Sequence, residues 1–202
     1  MSLSSLTAAL FAVLALAFPL TANAVTLNID TVTGQLLGAD EVDVGGVLYD
    51  VDFVDGACVA LFDGCDDPSD FTFTTDVDAL AAMNALQSQV FVDTLDGNFG
   101  TEPELTNGCE DLSSCSIQTP YALSSAIQAE VALLLNLADG PAFSFTDTFT
   151  TLSDTTTAPS IVYAQWGLSE TAVVPLPASG WLILSGLAGL FLVKRRRAQI
   201  AA

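Results

Sequence analysis

Two groups of aspartates have the residue types and spacing that could bind a metal ion. Asp50, Asp52 and Asp55 precede Gly56 in the first group, and Asp63, Asp66 and Asp67 are followed by Asp70 in the second. Calcium takes six to eight hard oxygen ligands, which carboxylates and backbone carbonyls supply. On a strand, Asp50 and Asp52 would share one face, about 6.5–7 Å apart. These aspartates are therefore the candidate calcium ligands. Neither group has EF-hand spacing, and the alternative interpretation is a solvated acidic surface.

Several residue types that most enzymes need are missing. The chain has no histidine, so neither a Ser-His-Asp nor a Cys-His arrangement can form. Its four basic residues all lie at 194–197, which leaves no lysine nucleophile and no phosphate clamp upstream. Two carboxylates about 5–9 Å apart could act as a glycosidase pair. Among 24 acidic residues some pair will meet that distance by chance, so the distance alone does not indicate a glycosidase. Because the other catalytic residue types are missing, we expect no enzymatic activity.

The region between the two chain ends is purely acidic. Residues 25–173 contain all 24 acidic residues and no basic one. Nucleic acid is excluded as a partner, because phosphate binding relies on Lys and Arg to release counterions. Apolar and aromatic residues recur throughout, whereas disorder combines high charge with low hydrophobicity. The composition therefore predicts a folded domain, for which an extracellular polysaccharide is a candidate partner.

Four cysteines lie in this acidic region: Cys58, Cys65, Cys109 and Cys115. An even number of cysteines in an exported protein indicates disulfides. Three pairings are available, and turn residues within both short segments favour the local bridges Cys58–Cys65 and Cys109–Cys115. Zinc is the alternative, but there is no CxxC pair and no histidine to build such a site.

Aromatic residues could offer a stacking surface for carbohydrate. The candidates are Trp166, Tyr163, Tyr121 and Tyr49. Trp166 lies within an apolar strand pattern, which favours a position in the core.

Alternating and apolar segments predict a β-rich fold. Strands are expected over Val25–Ile29, Leu36–Val44, Val47–Phe53, Phe71–Thr75, Phe143–Asp147 and Ile161–Leu168. Ala, Leu and Glu favour a helix over Ser124–Leu137. Thr155–Pro159 is expected to be a loop.

One segment has clear helical periodicity. Its apolar residues fall three or four positions apart: Val77, Leu80, Met83, Leu86 and Val90. Asp76 is the expected N-cap, and the helix should end near Asp93. The predicted fold class is α+β, a β-rich single secreted domain with this one helix.

The N-terminus has the pattern of a secretory signal peptide. Leu6–Leu20 is an apolar core, Pro19 breaks it, and Ala22 and Ala24 are small residues at the cleavage-determining positions. Cleavage after Ala24 is therefore expected, so residues 1–24 would be removed and residues 25–168 would form the acidic extracytoplasmic domain. The alternative is a buried N-terminal helix.

The C-terminus combines a proline motif, an apolar run and a basic cluster. The motif is Val174, Pro175, Leu176, Pro177 and Ala178, and the basic cluster is Lys194, Arg195, Arg196 and Arg197. As a helix, Pro177–Val193 would span about 25 Å, the short limit for crossing a bilayer. The positive-inside rule places the basic cluster and residues 198–202 in the cytoplasm. From these properties alone, a permanent membrane anchor is an equal alternative to a processed tail.

This C-terminal segment resembles the PEP-CTERM tail of Gram-negative bacteria, with Leu176 where the family name has Glu. The resemblance covers residues 174–197, and residues 169–173 are the linker to them. It implies recognition by a membrane-embedded exosortase, a cysteine transpeptidase, together with the secretion machinery. Cleavage near the proline motif and delivery to the cell surface or extracellular matrix would follow. An LPxTG-type signal at Leu176–Gly180 is a weaker alternative, and a GPI signal fits less well because of the basic cluster.

The function expected from these features is that of an exported structural or interaction protein of the extracellular polymer or biofilm layer. The chain would be tethered to the membrane before processing. A glycan-binding module or a carboxylate-dependent glycan-active enzyme at the cell surface is the alternative.

Overall fold

Seven strands hydrogen-bond into one mixed sheet in the computed structural model, which describes residues 24–170. The strands are β1 Thr26–Ile29, β2 Leu36–Val44, β3 Val47–Val54, β4 Ser114–Ser125, β5 Gln128–Leu137, β6 Gly140–Thr150 and β7 Ile161–Leu168. Their order across the sheet is β1-β2-β3-β7-β4-β5-β6. The prediction of a β-rich domain with a helix is confirmed, whereas the signal peptide and the C-terminal segment lie outside the described residues.

The last strand lies in the middle of the sheet. β7 runs antiparallel to β3, from the pair Tyr49–Leu168 to the pair Val54–Tyr163. On its other side it runs parallel to β4, with Gln118 opposite Tyr163. β7 therefore joins two antiparallel meanders, β1-β2-β3 and β4-β5-β6, into one sheet.

Two α-helices and three 3₁₀ turns occur in the described part of the chain. They are α1 Cys58–Leu61, α2 Asp76–Gln89, and the turns Pro68–Asp70, Pro103–Leu105 and Thr155–Thr157. The long helix α2 is the one that the periodicity predicted. It ends at Gln89 rather than near Asp93. Its N-cap is Thr75, not Asp76, because the Thr75 side chain accepts a hydrogen bond from the Asp78 N–H.

The buried side of α2 is lined mainly by small residues. Ala79, Ala82 and Ala85 are buried together with Met83 and Leu86. Val77, expected on this side, is exposed in the first turn. Because alanine side chains are short, the helix can lie close to the sheet. Val77, in the first turn, is not part of this contact surface.

The sheet buries apolar side chains on both faces. The main core lies under α2 and includes Leu36, Phe53 and Leu134. A smaller cluster contains Cys58, Cys65, Phe71, Ala129 and Tyr163. Burial on both faces explains why several strands have continuous apolar runs instead of strict alternation.

The helix expected over Ser124–Leu137 is wrong. Ser124 lies at the end of strand β4, which closes at Ser125, and Gln128–Leu137 is strand β5, paired with β4 on one side and β6 on the other. Consecutive residues Val131–Leu134 are all buried. This is the pattern of a central strand covered on both faces, and cross-strand packing outweighs the helix propensity of Ala, Leu and Glu.

The strand expected over Phe71–Thr75 is also not formed. Phe71 and Phe73 are buried and the threonines between and after them are exposed, but the segment belongs to none of the seven strands. Thr72 instead donates a hydrogen bond from Oγ1 to the Trp166 carbonyl at 2.6 Å. The alternation predicted which side chains are buried but not the backbone pairing.

Trp166 is a core residue, as its strand pattern suggested. It is 8% exposed, and its Nε1–H donates to Thr119 Oγ1 at 2.9 Å. Its ring meets Phe73 and Tyr49 edge-on, with centroid distances of 5.5 and 6.2 Å. Trp166 thus connects β7 to β4 and to the chain that leads into α2.

Replacing this side chain should strongly destabilise the domain. We expect Trp166→Ala to lower the free energy of unfolding by about 3–5 kcal/mol, because a large buried ring is lost and a cavity remains. Phe143→Ala is the matched control, since Phe143 is 47% exposed, and should cost less than about 1 kcal/mol. Urea denaturation measures both values. Equal losses would contradict the assigned core position.

Candidate functional site

The two predicted disulfides are present. Cys58–Cys65 and Cys109–Cys115 have Cα–Cα distances of 5.7 and 5.8 Å. In the first loop, Asp63, Gly64 and Cys65 all have positive φ, so the backbone turns back within a few residues. Both bridges are local, and their presence is consistent with an exported protein.

The first aspartate group divides between two places. Asp50 and Asp52 lie opposite Gly167 and Gln165 of β7, on one face of the sheet, as predicted. Asp50 Oδ1 accepts a hydrogen bond from the Glu41 N–H at 3.0 Å, at a bulge of β2 where Glu41 has a φ of 61°. Asp50 therefore supports the bulge.

Asp55, the third residue of that group, lies beyond the end of β3. Its Oδ1 accepts a hydrogen bond from Thr155 Oγ1 at 2.8 Å. It lines a different depression, together with Asn107, Glu110 and Thr156. Asp55 is therefore separated from the site that Asp50 and Asp52 share.

The second aspartate group surrounds the turn Pro68–Asp70. Asp67 Oδ1 accepts from the Ser69 N–H and Oγ–H, and Asp70 Oδ2 accepts from the N–H groups of Asp66 and Asp67. This reciprocal arrangement is a capping box. Asp63 and Asp66 are exposed beside it. Much of the acidic pattern thus serves to satisfy backbone donors.

Tertiary structure brings one residue of the second group to the first. Asp50, Asp52 and Asp70 line a depression of about 370 Å³, together with Thr72 and Gln165. Gln165 donates from Nε2 to the Leu61 carbonyl at 2.6 Å, which holds α1 against β7. Sequence reasoning missed Thr72 and Gln165, although the alternation along β7 could have placed Gln165 on the Asp52 face. We define these five residues as the acidic depression.

The three carboxylates of the acidic depression are not among the close ligand groups of this structure. Within residues 24–170, no three Asp, Glu or Cys side chains are grouped closely enough to hold an ion.

The surface of stacking aromatics expected for carbohydrate does not form. Tyr163, Tyr121 and Trp166 are buried and Tyr49 is partly buried. Two phenylalanines that sequence reasoning did not single out are exposed instead: Phe143 and Phe145 on β6, stacked with centroids 5.7 Å apart. In the sequence, Phe143 and Phe145 alternate with Ser144, which predicts that the two rings share one face of a strand. The alternation does not predict whether that face is buried or exposed.

The sorting residues 174–178 and 194–197 lie outside the described residues. Within the described part of the chain, none of the helices has the length and apolar character required to traverse a bilayer. Comparison with protein-family models, curated proteins and solved structures found no match to this chain.

Asp55 lies in an environment that disfavours its charge. Burial raises the pKa of its carboxyl, the hydrogen bond from Thr155 opposes that rise, and the charges of Asp154 and Glu110 add to it. The ionised form is thus less favourable in the folded state than in the unfolded chain. The contribution of Asp55 to the free energy of unfolding is fully present below the ordinary carboxyl pKa of 3.8, and it is lost as the pH rises through the higher folded-state pKa.

Removing this charge should stabilise the protein at neutral pH. Asp55→Asn keeps an oxygen acceptor for Thr155, and we expect it to raise the free energy of unfolding at pH 7 by up to about 1 kcal/mol, because solvent screens a partly exposed carboxyl. The gain should vanish near pH 3.5. Asp147→Asn, which removes the same charge from an exposed position on β6, is the control. Equal gains in denaturation experiments would show that only net charge matters.

Proposed function

We propose that this chain is an exported structural or interaction protein of the cell surface or extracellular polymer layer, delivered by an exosortase-like system. The observation that carries the proposal is the proline, apolar and basic order of residues 174–197. The two disulfides of the domain support it, because such bridges persist in oxidising compartments. The proposed role is non-catalytic.

The order of the fold along the chain suits processing at the C-terminus. The central strand β7 ends at Leu168, six residues before the proline motif begins at Val174. A cut near that motif would therefore leave all seven strands in the mature protein. The whole sheet could be released from, or transferred away from, a membrane tether.

The acidic composition suits a soluble component of a hydrated layer. Twenty-four carboxylates with no basic residue between 25 and 173 give a strong negative field, which keeps copies apart and repels anionic partners. A neutral polysaccharide, or an anionic one bridged by divalent ions, is the extracellular polymer that such a surface could meet.

Calcium is a second element of the proposal. The acidic depression gathers three carboxylates from separate parts of the chain, with oxygen atoms of Thr72 and Gln165 beside them. These are the hard oxygen donors that calcium prefers. An ion there would offset the repulsion among the carboxylates and link β3 to the turn Pro68–Asp70.

Calcium should raise the melting temperature of the mature protein more than magnesium does at equal ionic strength, because Mg²⁺ loses its water ligands reluctantly. Asp52→Asn should abolish the difference, whereas Asp147→Asn, an exposed change on β6, should retain it. Thermal denaturation and calorimetry measure the effect. A calcium response no larger than that of magnesium would rule out the site.

The sorting proposal predicts a processed C-terminus. Mass spectrometry of the extracellular protein should find a mature chain that begins after Ala24, ends near Val174–Ala178 and carries both disulfides. Replacing Pro175 and Pro177 with Ala should instead leave precursor in the membrane, still carrying Lys194–Arg197.

The control for this experiment is Pro141→Ala, which alters an exposed proline at the start of β6. Processing of this variant should be normal. A wild-type mature form that still carries Lys194–Arg197 would support a permanent anchor and contradict the sorting proposal. Sugar release by the purified protein would favour the glycan-active alternative.

A further inference from the structure

A third depression lies beside the turn Thr155–Thr157, distinct from the acidic depression and from the depression that Asp55 lines. Its volume is about 330 Å³, at the lower end of the range for small-molecule sites. Phe149 and Ile161 supply apolar walls, and Gln118, Ser153, Asp154 and Tyr163 supply polar groups. We call it the Gln118–Tyr163 pocket.

Two buried polar atoms in this pocket have no hydrogen-bond partner among the described residues. They are Oε1 of Gln118, a residue 7% exposed, and the hydroxyl oxygen of Tyr163, which is 0% exposed. Leaving such atoms unpaired is costly, so most buried polar groups in folded proteins have a partner. Both therefore have unused hydrogen-bonding capacity in a space that could admit a ligand.

The sheet itself places these two groups side by side. Gln118 of β4 is the parallel partner of Tyr163 of β7, so both side chains leave the same face at the same level. The Tyr163 ring is fixed between Phe62 and Phe149, with centroids 5.5 Å from each. The hydroxyl thus has a fixed position.

Charge in and around the pocket argues against an anionic ligand. Residues 25–173 hold no Lys or Arg to attract an anion. The Asp154 carboxylate, which lines the pocket, would repel one. Burial and, secondarily, Asp154 raise the pKa of Tyr163, so its hydroxyl remains protonated and can donate.

We propose that the Gln118–Tyr163 pocket binds one neutral polyhydroxylated unit, of the chemical class of a single sugar residue. Hydroxyl groups of such a unit can donate to Gln118 Oε1 and accept from the Tyr163 hydroxyl, which satisfies both unpaired atoms. Its C–H face can lie against Phe149 and Ile161. This binding goes beyond the proposed sorting and matrix role, and it does not depend on how the C-terminus is processed.

Titration of the mature exported protein tests this proposal. The probes are the neutral sugars glucose, galactose and N-acetylglucosamine, with glucuronate as the anionic probe, and binding is followed by NMR chemical shifts and calorimetry. We expect saturable binding of at least one neutral sugar and weaker binding of glucuronate. Tyr163→Phe and Gln118→Leu should each weaken that binding about tenfold, the effect of one lost hydrogen bond.

The Tyr163→Phe variant is expected to fold, because the hydroxyl it removes has no partner in the protein. Tyr121→Phe is the matched control. Tyr121 is also buried, but it belongs to the main core rather than the smaller cluster. Removing its hydroxyl group should therefore leave the sugar affinity unchanged. If Gln118→Leu fails to fold, Tyr163→Phe alone decides.

Three results would overturn the proposal: no saturable binding of any neutral sugar, preferred binding of glucuronate, or unchanged affinity in Tyr163→Phe. Correct processing of the C-terminus together with any of these results would leave the sorting proposal standing.

Discussion

The position of β7 between β3 and β4 is the constraint on which the rest of the structure depends. Through its hydrogen bonds to both neighbours, this last strand converts two separate meanders into one sheet. It also contributes one residue each to three features: Trp166 to the core, Gln165 to the acidic depression and Tyr163 to the Gln118–Tyr163 pocket. Non-local pairing of this kind must wait until the chain is complete through Leu168. The proposed cleavage site follows Leu168, so cleavage there would remove no residue that the sheet needs in order to fold.

Because the domain has no basic side chains, its carboxylates cannot form salt bridges with Lys or Arg, and several of them accept hydrogen bonds instead. Four aspartates accept hydrogen bonds from residues two positions further along the chain, and these bonds lower the pKa of each carboxyl: Asp30, Asp67, Asp111 and Asp154. Their support for the folded state is therefore present above the unfolded pKa near 3.8 and is lost as the pH falls through the folded values. In these local turns, backbone and hydroxyl donors stabilise negative charges that no Lys or Arg in residues 25–173 is present to neutralise.

The sequence predicted local features better than pairing. The bounds of β2 and β7 agree with the expected segments, because turn residues and apolar runs mark both ends. Helix propensity gave the wrong result over Ser124–Leu137, where two neighbouring strands decide the conformation. Strand β4 was not expected. At the candidate sites, the local disulfides followed from spacing, whereas the approach of Asp70 to Asp50 and Asp52 did not. That approach depends on α1 and the turn after it folding back across the sheet.

By itself, the sequence determined the charge of the domain, the long helix and the resemblance of residues 174–197 to a sorting tail, and it favoured the local cysteine pairs. All of these depend on residues that are near neighbours in the chain or on composition alone. Only the tertiary structure decided that Tyr121 and Tyr163 are buried, that the aspartate groups divide between separate sites, and that Gln118 and Tyr163 share a pocket. Gln118 and Tyr163 are 45 positions apart in the sequence, and they meet because a parallel pairing between β4 and β7 sets their register. Local patterns cannot specify such a register, since it results from packing across the whole sheet.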